Sequence, residues 1–172
     1  GPYRILRVAP QAPGMSGLNL DPVQLDRYSR HIIMDDVGPE GQRALLDSSV
    51  LVVGAGGLGA PVIQYLAAAG GGIIPVVDDD EVERSNLQRQ VLHRDADIGR
   101  PKAVSAREFV EELNPDVDCV DHEVRLSPEN VHEYVDDVDF VVDCADNFPT
   151  RYLVNDACVL AGVPYSHGAI YR

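Results

Sequence analysis

Two hydrophobic rhythms alternate along the chain: short unbroken apolar runs, and stretches where apolar residues recur every three or four positions. The first rhythm marks strands buried on both faces, and the second marks helices with one buried face. Asp21 and Pro22 form an N-cap and first-turn pair, and Leu25, Tyr28 and Ile32 follow at helical spacing, which predicts a helix over 22–33. A short helix is expected after Pro39, through Arg43, Leu45 and Leu46. The run 49–53 predicts a strand that enters Gly54-Ala55-Gly56-Gly57-Leu58-Gly59, with a helix through Ile63, Leu66 and Ala67 to Gly70 behind it. A second strand over 73–77 carries Pro75, which removes one ladder donor, and ends in Asp78, Asp79, Asp80 and Glu81. Pro101 opens a helix reaching Asn114, and 117–124 reads as a weak strand. Ser127-Pro128 is expected to cap another short helix, 139–143 is the clearest later strand, and a helix over 149–161 and a strand over 164–170 follow. Such alternation predicts an α/β, Rossmann-like fold: a mostly parallel sheet, helices on both faces, and ligands at the carboxyl ends of the strands.

Length changes this picture little, since 172 residues suit one core and one domain over 18–172. Residues 1–17 hold three prolines, three glycines and no period, so they are expected to be a flexible arm or a vector-derived remnant, with Met15 a possible native start. No apolar run approaches the ~18 residues of a membrane span and no leader pattern opens the chain, so the expectation is a soluble, cytoplasmic protein with no membrane partner. Cys119, Cys144 and Cys158 form neither a CxxC pair nor an even set. They fit a reducing compartment and read as small buried hydrophobes.

Charge excludes a class of partner. The 28 acidic residues against 14 basic ones leave a net −14, which repels phosphate backbones and argues against nucleic acid. Lys102 is the only lysine. Acidic excess with almost no lysine resembles the halophilic surfaces of salt-loving archaea, and it makes Lys102 conspicuous.

Glycines at Gly54, Gly56, Gly57 and Gly59, between a buried strand and a helix, would let backbone N–H groups and the helix N-terminus approach a phosphate. Asp78, 21 residues past Gly57 at the end of the next strand, is placed to accept ribose hydroxyls. Nicotinamide enzymes need little positive charge beyond such a turn, whereas attack on ATP requires neutralising a triphosphate. Arg89 and Lys102, 11 and 24 residues beyond Asp78, are candidates to reach phosphates; the plainer readings are a solvated arginine and a first-turn lysine that the helix dipole disfavours. Asp143-Cys144-Ala145-Asp146-Asn147 closes the 139–143 strand, so its carboxylates are expected at the ligand edge. Asp146 could hold Mg²⁺ against phosphates or cap the helix after it, and spacing leaves both open.

In this order and spacing the glycine turn, Val77-Asp78, Ser85-Asn86-Leu87-Gln88-Arg89-Gln90, Pro101-Lys102 and the 143–147 segment resemble the E1-like family of ubiquitin-activating enzymes and their prokaryotic relatives MoeB and ThiF. The resemblance extends upstream to Asp26-Arg27-Tyr28-Ser29-Arg30-His31-Ile32, covers roughly residues 20–172, and is most similar in composition to the haloarchaeal branch that activates small archaeal ubiquitin-like modifiers. It implies ATP-dependent adenylation of the C-terminal glycine of a ubiquitin-like or sulfur-carrier protein, for conjugation or sulfur transfer, with Mg²⁺ and release of pyrophosphate. By motif it assigns Gly57 to the phosphate-side turn, Asp78 to ribose, and Asn86, Arg89 and Lys102 to phosphate stabilisation. Asp146 matches the magnesium-associated aspartate with Asn147 beside it, and Arg30 an arginine that enters the pocket from the other subunit of a homodimer.

The resemblance also implies a further C-terminal portion with two zinc-binding CxxC pairs and a cysteine nucleophile, absent from these residues. Zn²⁺ is expected only there, and this stretch is expected to be the adenylation half, unable by itself to complete thioester formation. Two other readings compete. An NAD-dependent oxidoreductase shares the turn and Asp78 but gives Arg89, Lys102 and Asp146 nothing to do, and none of His31, His93, His122, His132 and His167 has a motif context. A non-catalytic E1-like subunit would not need every nucleotide motif.

Overall fold

The apolar run Val50–Val53 (β1) is the centre of a five-stranded, all-parallel sheet. Ile73–Val77 (β2) and then Asp118–His122 (β3) lie on one side of it; Phe140–Asp143 (β4) and then Tyr165–His167 (β5) lie on the other. The computed structural model describes residues 20–170, so the arm expected over 1–17 lies outside the described residues. Seven α-helices are described: Pro22–Arg27 (α1), Ser29–Ile32 (α2), Gly38–Leu46 (α3), Gly59–Ala69 (α4), Lys102–Leu113 (α5), Val131–Val135 (α6) and Phe148–Ala161 (α7).

Side-chain alternation along β1 divides the interior into two layers. Val52 packs with Ile63 and Ala67 of α4, Val110 of α5, and Ile74 and Val76 of β2. Leu51 and Val53 face the other way, onto Val135 of α6, Val154 and Ala157 of α7, and Val141 of β4. Because both faces are covered, β1 has no polar position, which is why its sequence is a run rather than an alternation. Each fully buried Leu, Ile or Val contributes about 1.5–3 kcal/mol relative to exposure.

Pro75 sits in an interior strand, and the ladder shows how. Ile73 N–H donates to Ser48 C=O while Asp78 N–H donates to His122 C=O, so odd residues of β2 face β1 and even ones face β3. The missing Pro75 donor therefore falls on the β1 side, between the isolated Ser49–Ile73 bridge and the Val52–Val76 pairing, while the β3 register is unbroken from Ile73 to Val77.

The N-terminal helix departs from expectation. It breaks at Tyr28 (φ −99°, ψ 13°) into α1 and α2. Tyr28 is the residue that turns inward, 2% exposed, with its hydroxyl accepting from Asn114 Nδ2 at 2.8 Å and donating to Asp116 Oδ2 at 3.1 Å. The cap on α1 is as predicted, with Asp21 Oδ1 accepting from the N–H groups of Val23 and Gln24. The helix expected after Ser127-Pro128 starts three residues later than Pro128, at Val131, because Asn130 Oδ1 accepts from Ser127 N–H and closes 127–130 as a turn. The last strand is three residues long rather than seven. Among the described residues no helix is long and apolar enough to cross a membrane.

Candidate active site

At the carboxyl end of β1 the four glycines divide into two pairs. Gly54 has φ +93°, a left-handed conformation that disfavours side chains, and its N–H donates to Val77 C=O at 2.8 Å. A Cβ on Gly59 would stand 1.8 Å from the Gly54 carbonyl oxygen, so α4 could not approach the turn. These two glycines are demanded by the fold. Gly56 and Gly57 are not: their φ values are not positive, and a Cβ would meet only side chains, at 3.5 Å and 3.8 Å. The N–H groups of Gly56, Gly57 and Leu58 donate to no described residue. What a Cβ there would obstruct is approach from outside, as a phosphate on a helix N-terminus requires. Gly59→Ala is therefore expected to destabilise strongly. Gly57→Ala should leave the thermal midpoint unchanged or raise stability by up to about 1 kcal/mol while weakening anion binding, a pairing checked by thermal unfolding with and without ATP.

Asp78 closes the floor of the site. Its Oδ2 accepts from Ala55 N–H at 2.7 Å and its Oδ1 from Asp80 N–H at 2.8 Å, leaving further lone pairs on both oxygens for hydroxyls. Burial raises its pKa, against the pull of those two N–H donors and of Lys102. Asp78, Asp79 and Asp80 bring their carboxylates within 4.8 Å of one another. The trio is already engaged, because Lys102 Nζ lies 2.7 Å from Asp80 Oδ2. The Lys102 side chain is 7% exposed and that of Asp80 68%, so a buried ammonium meets a solvated partner. The lysine is thus neither a surface residue nor free: it waits against Asp80 beside Asp78.

Arg89 is exposed and lies along the turn, its Cγ and Cδ 3.8 Å from the point a Gly57 Cβ would occupy. Arg27, Arg43, Arg84, Arg94, Arg100 and Arg107 are all spent in ion pairs with carboxylates. Arg89 instead donates to the Ser85 carbonyl at 3.1 Å and pairs with no described carboxylate. Asn86 is 8% exposed and its Oδ1 accepts from Glu83 N–H, holding the turn that delivers Arg89. Gln90 presses its amide on Gly56 and is 4% exposed, with Oε1 the one buried side-chain N or O atom among the described residues that lacks a partner.

At the end of β4 only one of the two carboxylates emerges. Asp143 is fully buried, accepting from Ala145 N–H at 3.0 Å and from His167 Nδ1 at 2.8 Å, so the expectation that it faces ligand is wrong. Asp146 is exposed and bonds to no described residue. It does not cap α7. Asn147 does, its Oδ1 accepting from Thr150 N–H at 3.0 Å, so the residue the motif sets beside the magnesium aspartate has a structural task. Asn147→Ala should accordingly cost about 1 kcal/mol in denaturant unfolding and Asp146→Ala almost nothing. The three cysteines are buried, and burial pushes the thiols of Cys119 and Cys144 up to about 12 and that of Cys158 to about 11, which suits packing and not nucleophilic attack.

Arg30 is not brought to this edge. It lies exposed on α2, two residues from Tyr28, which is anchored among Asn114, Asp116 and Gly70 at the amino ends of the strands. A five-residue strand, about 16 Å, separates that edge from the glycine turn. Conversely, His93 sits beneath the turn although nothing local in the sequence singles it out; the only hint is its place three residues after Gln90.

The ThiF family model matches residues 28–172. The chain is 66% identical over 155 residues to the SAMP-activating enzyme E1 of Haloferax volcanii, covering 90% of this chain and 57% of that protein. It is 56% identical over 149 residues to the sulfur carrier protein adenylyltransferase of Thermus thermophilus, covering 87% and 55%. Among solved structures, Escherichia coli MccB with ATP aligns with a TM-score of 0.76 at 28% identity, over 84% of this chain and 47% of that one. The chain thus spans little more than half the length of these two relatives.

Proposed function

The chain belongs to the ThiF family, and from that premise we propose that it carries the adenylating site of an E1-like enzyme that activates the C-terminal glycine of a ubiquitin-like or sulfur-carrier protein with ATP. One observation carries the reading: in a chain of net charge −14, Arg89 and Lys102 converge on a glycine turn and on Asp78. That charge suits a triphosphate and exceeds what a nicotinamide cofactor needs.

The turn N–H groups of Gly56 and Gly57 hold phosphate oxygens, and Asp78 takes the ribose hydroxyls through its free lone pairs. Arg89 and Lys102 face the negative charge that builds as the modifier's carboxylate oxygen bonds to the α-phosphorus and the bond to the departing pyrophosphate breaks. Lys102 exchanges Asp80 for phosphate in doing so. Asp146, an exposed carboxylate with no protein partner, fits the one or two protein ligands that Mg²⁺ takes beside substrate phosphates. Bound there, the ion supplies further positive charge to the phosphates. Asn86 and Asn147 support the site through the backbone turns they close. Arg30 completes the pocket of a second copy in a homodimer, a reading supported by its distance from its own chain's turn.

The test is ATP–pyrophosphate exchange by the full-length protein with a ubiquitin-like protein ending in glycine. Exchange that needs the partner's terminal glycine, together with thermal stabilisation by Mg-ATP and none by NAD, is the expected result. Stabilisation by NAD alone would turn the reading to an oxidoreductase.

A further inference from the structure

His93 is 5% exposed, and both its ring nitrogens have partners: Nε2 lies 2.9 Å from the Ala55 carbonyl oxygen and Nδ1 2.9 Å from Ser105 Oγ. A carbonyl can only accept, so Nε2 carries the hydrogen, and in the neutral ring Nδ1 then accepts from the Ser105 hydroxyl. Burial lowers the pKa of His93, as does Lys102, against the pull of the Ala55 carbonyl, Asp78 and Asp97, which favours the neutral ring.

The geometry points to His93 as a positioning residue of the nucleotide site, which through the Ala55 carbonyl turns the Gly56 N–H outward to the phosphates. In a trans peptide the C=O and the following N–H point in opposite directions. Drawing the Ala55 C=O inward onto His93 therefore aims the Gly56 N–H away from the core. Asp78 does the corresponding work one peptide earlier, by taking the Ala55 N–H. Two successive peptides of the turn are thus set from two different segments, the end of β2 and the loop before α5. Ser105, on the first turns of α5, holds the ring in place, so Lys102 and the imidazole are carried by the same helix end. Preorganised donors act on phosphate without reorganising when it arrives.

This inference rests on the proposed binding of a nucleoside triphosphate, and the test separates the two. ATP and adenosine are titrated calorimetrically into the full-length protein and its His93→Phe and His93→Gln variants. Phe fills the space without a donor; Gln restores an N–H near the Nε2 position. His93→Phe should weaken ATP by about 10-fold, the worth of one lost hydrogen bond to a charged ligand, with adenosine unchanged, and His93→Gln should recover most of the loss. ATP affinity unchanged in His93→Phe, or equal losses for ATP and adenosine, overturns the positioning role. Should His93→Phe fail to fold, Ser105→Ala decides: a selective loss of ATP affinity supports the role, and wild-type affinity overturns it. If the unaltered protein binds no ATP, it is the proposed function that fails.

Discussion

Lys102→Ala should abolish modifier-dependent pyrophosphate exchange, and Arg89→Ala should do nearly as much, each lowering the rate by about 10²–10³-fold or more. That is the scale on which removing one group that meets transition-state charge acts, roughly 3–4 kcal/mol. Neither change should unfold the chain. Lys102 leaves behind Asp80, a carboxylate already in water, and Asp78, which keeps the N–H groups of Ala55 and Asp80, while Arg89 releases only the Ser85 carbonyl. The separation of effects is the informative part: a fold-supporting lysine would lower the unfolding midpoint along with the rate, whereas here circular dichroism and thermal midpoints should stay near those of the unaltered protein. Near wild-type exchange in both variants would remove the phosphate assignment and return the site to a nicotinamide reading.

A mixed dimer of one Arg30→Ala chain and one Lys102→Ala chain, isolated by two different tags, should show up to about half the activity of the unaltered dimer, although each mutant homodimer is nearly dead. In the proposed homodimer each pocket would take its own Lys102 and the partner's arginine, so one pocket of the mixed dimer would be whole and the other would lack both. If Arg30 served its own chain, every pocket would lack one of the two, and activity no higher than in the homodimers would settle the matter that way. The fold supports the first outcome: Arg30 stands near the amino ends of the strands, beside the Tyr28 anchor, and the turn lies at their carboxyl ends. Such a finger would add charge where charge develops, and would make one chain alone a poor catalyst.

The order of elements and the place of the glycine turn are legible in the sequence because both are written locally. An unbroken run such as 50–53 has no polar position to turn to solvent, and the recurrence of Ile63 and Ala67 has no other face to bury. Once strand and helix alternate, parallel pairing with crossovers follows, and with it the edge where Asp78 and Asp146 follow their strands. Glycine at Gly54 and Gly59 belongs to the same local level, since one answers a backbone angle and the other a contact only five residues away.

What only the tertiary structure decided are the pairings between residues far apart in the chain. His93 meets Ala55 across 38 positions and Tyr28 meets Asn114 across 86, so neither the support beneath the turn nor the break between α1 and α2 leaves a trace in any period of 2 or 3.6. Lys102 and Asp80 are 22 apart, so spacing can mark the lysine as unusual without showing that it is already paired. Asp143 and Asp146 look alike in sequence, yet the first turns inward to His167 at the end of β5 and only the second is left in solvent. Local pattern determines which elements form, because it depends on near neighbours along the chain. Which side chains share a site depends on strand order and on what each pocket leaves to be satisfied, and those exist only once the sheet has closed around its two cores.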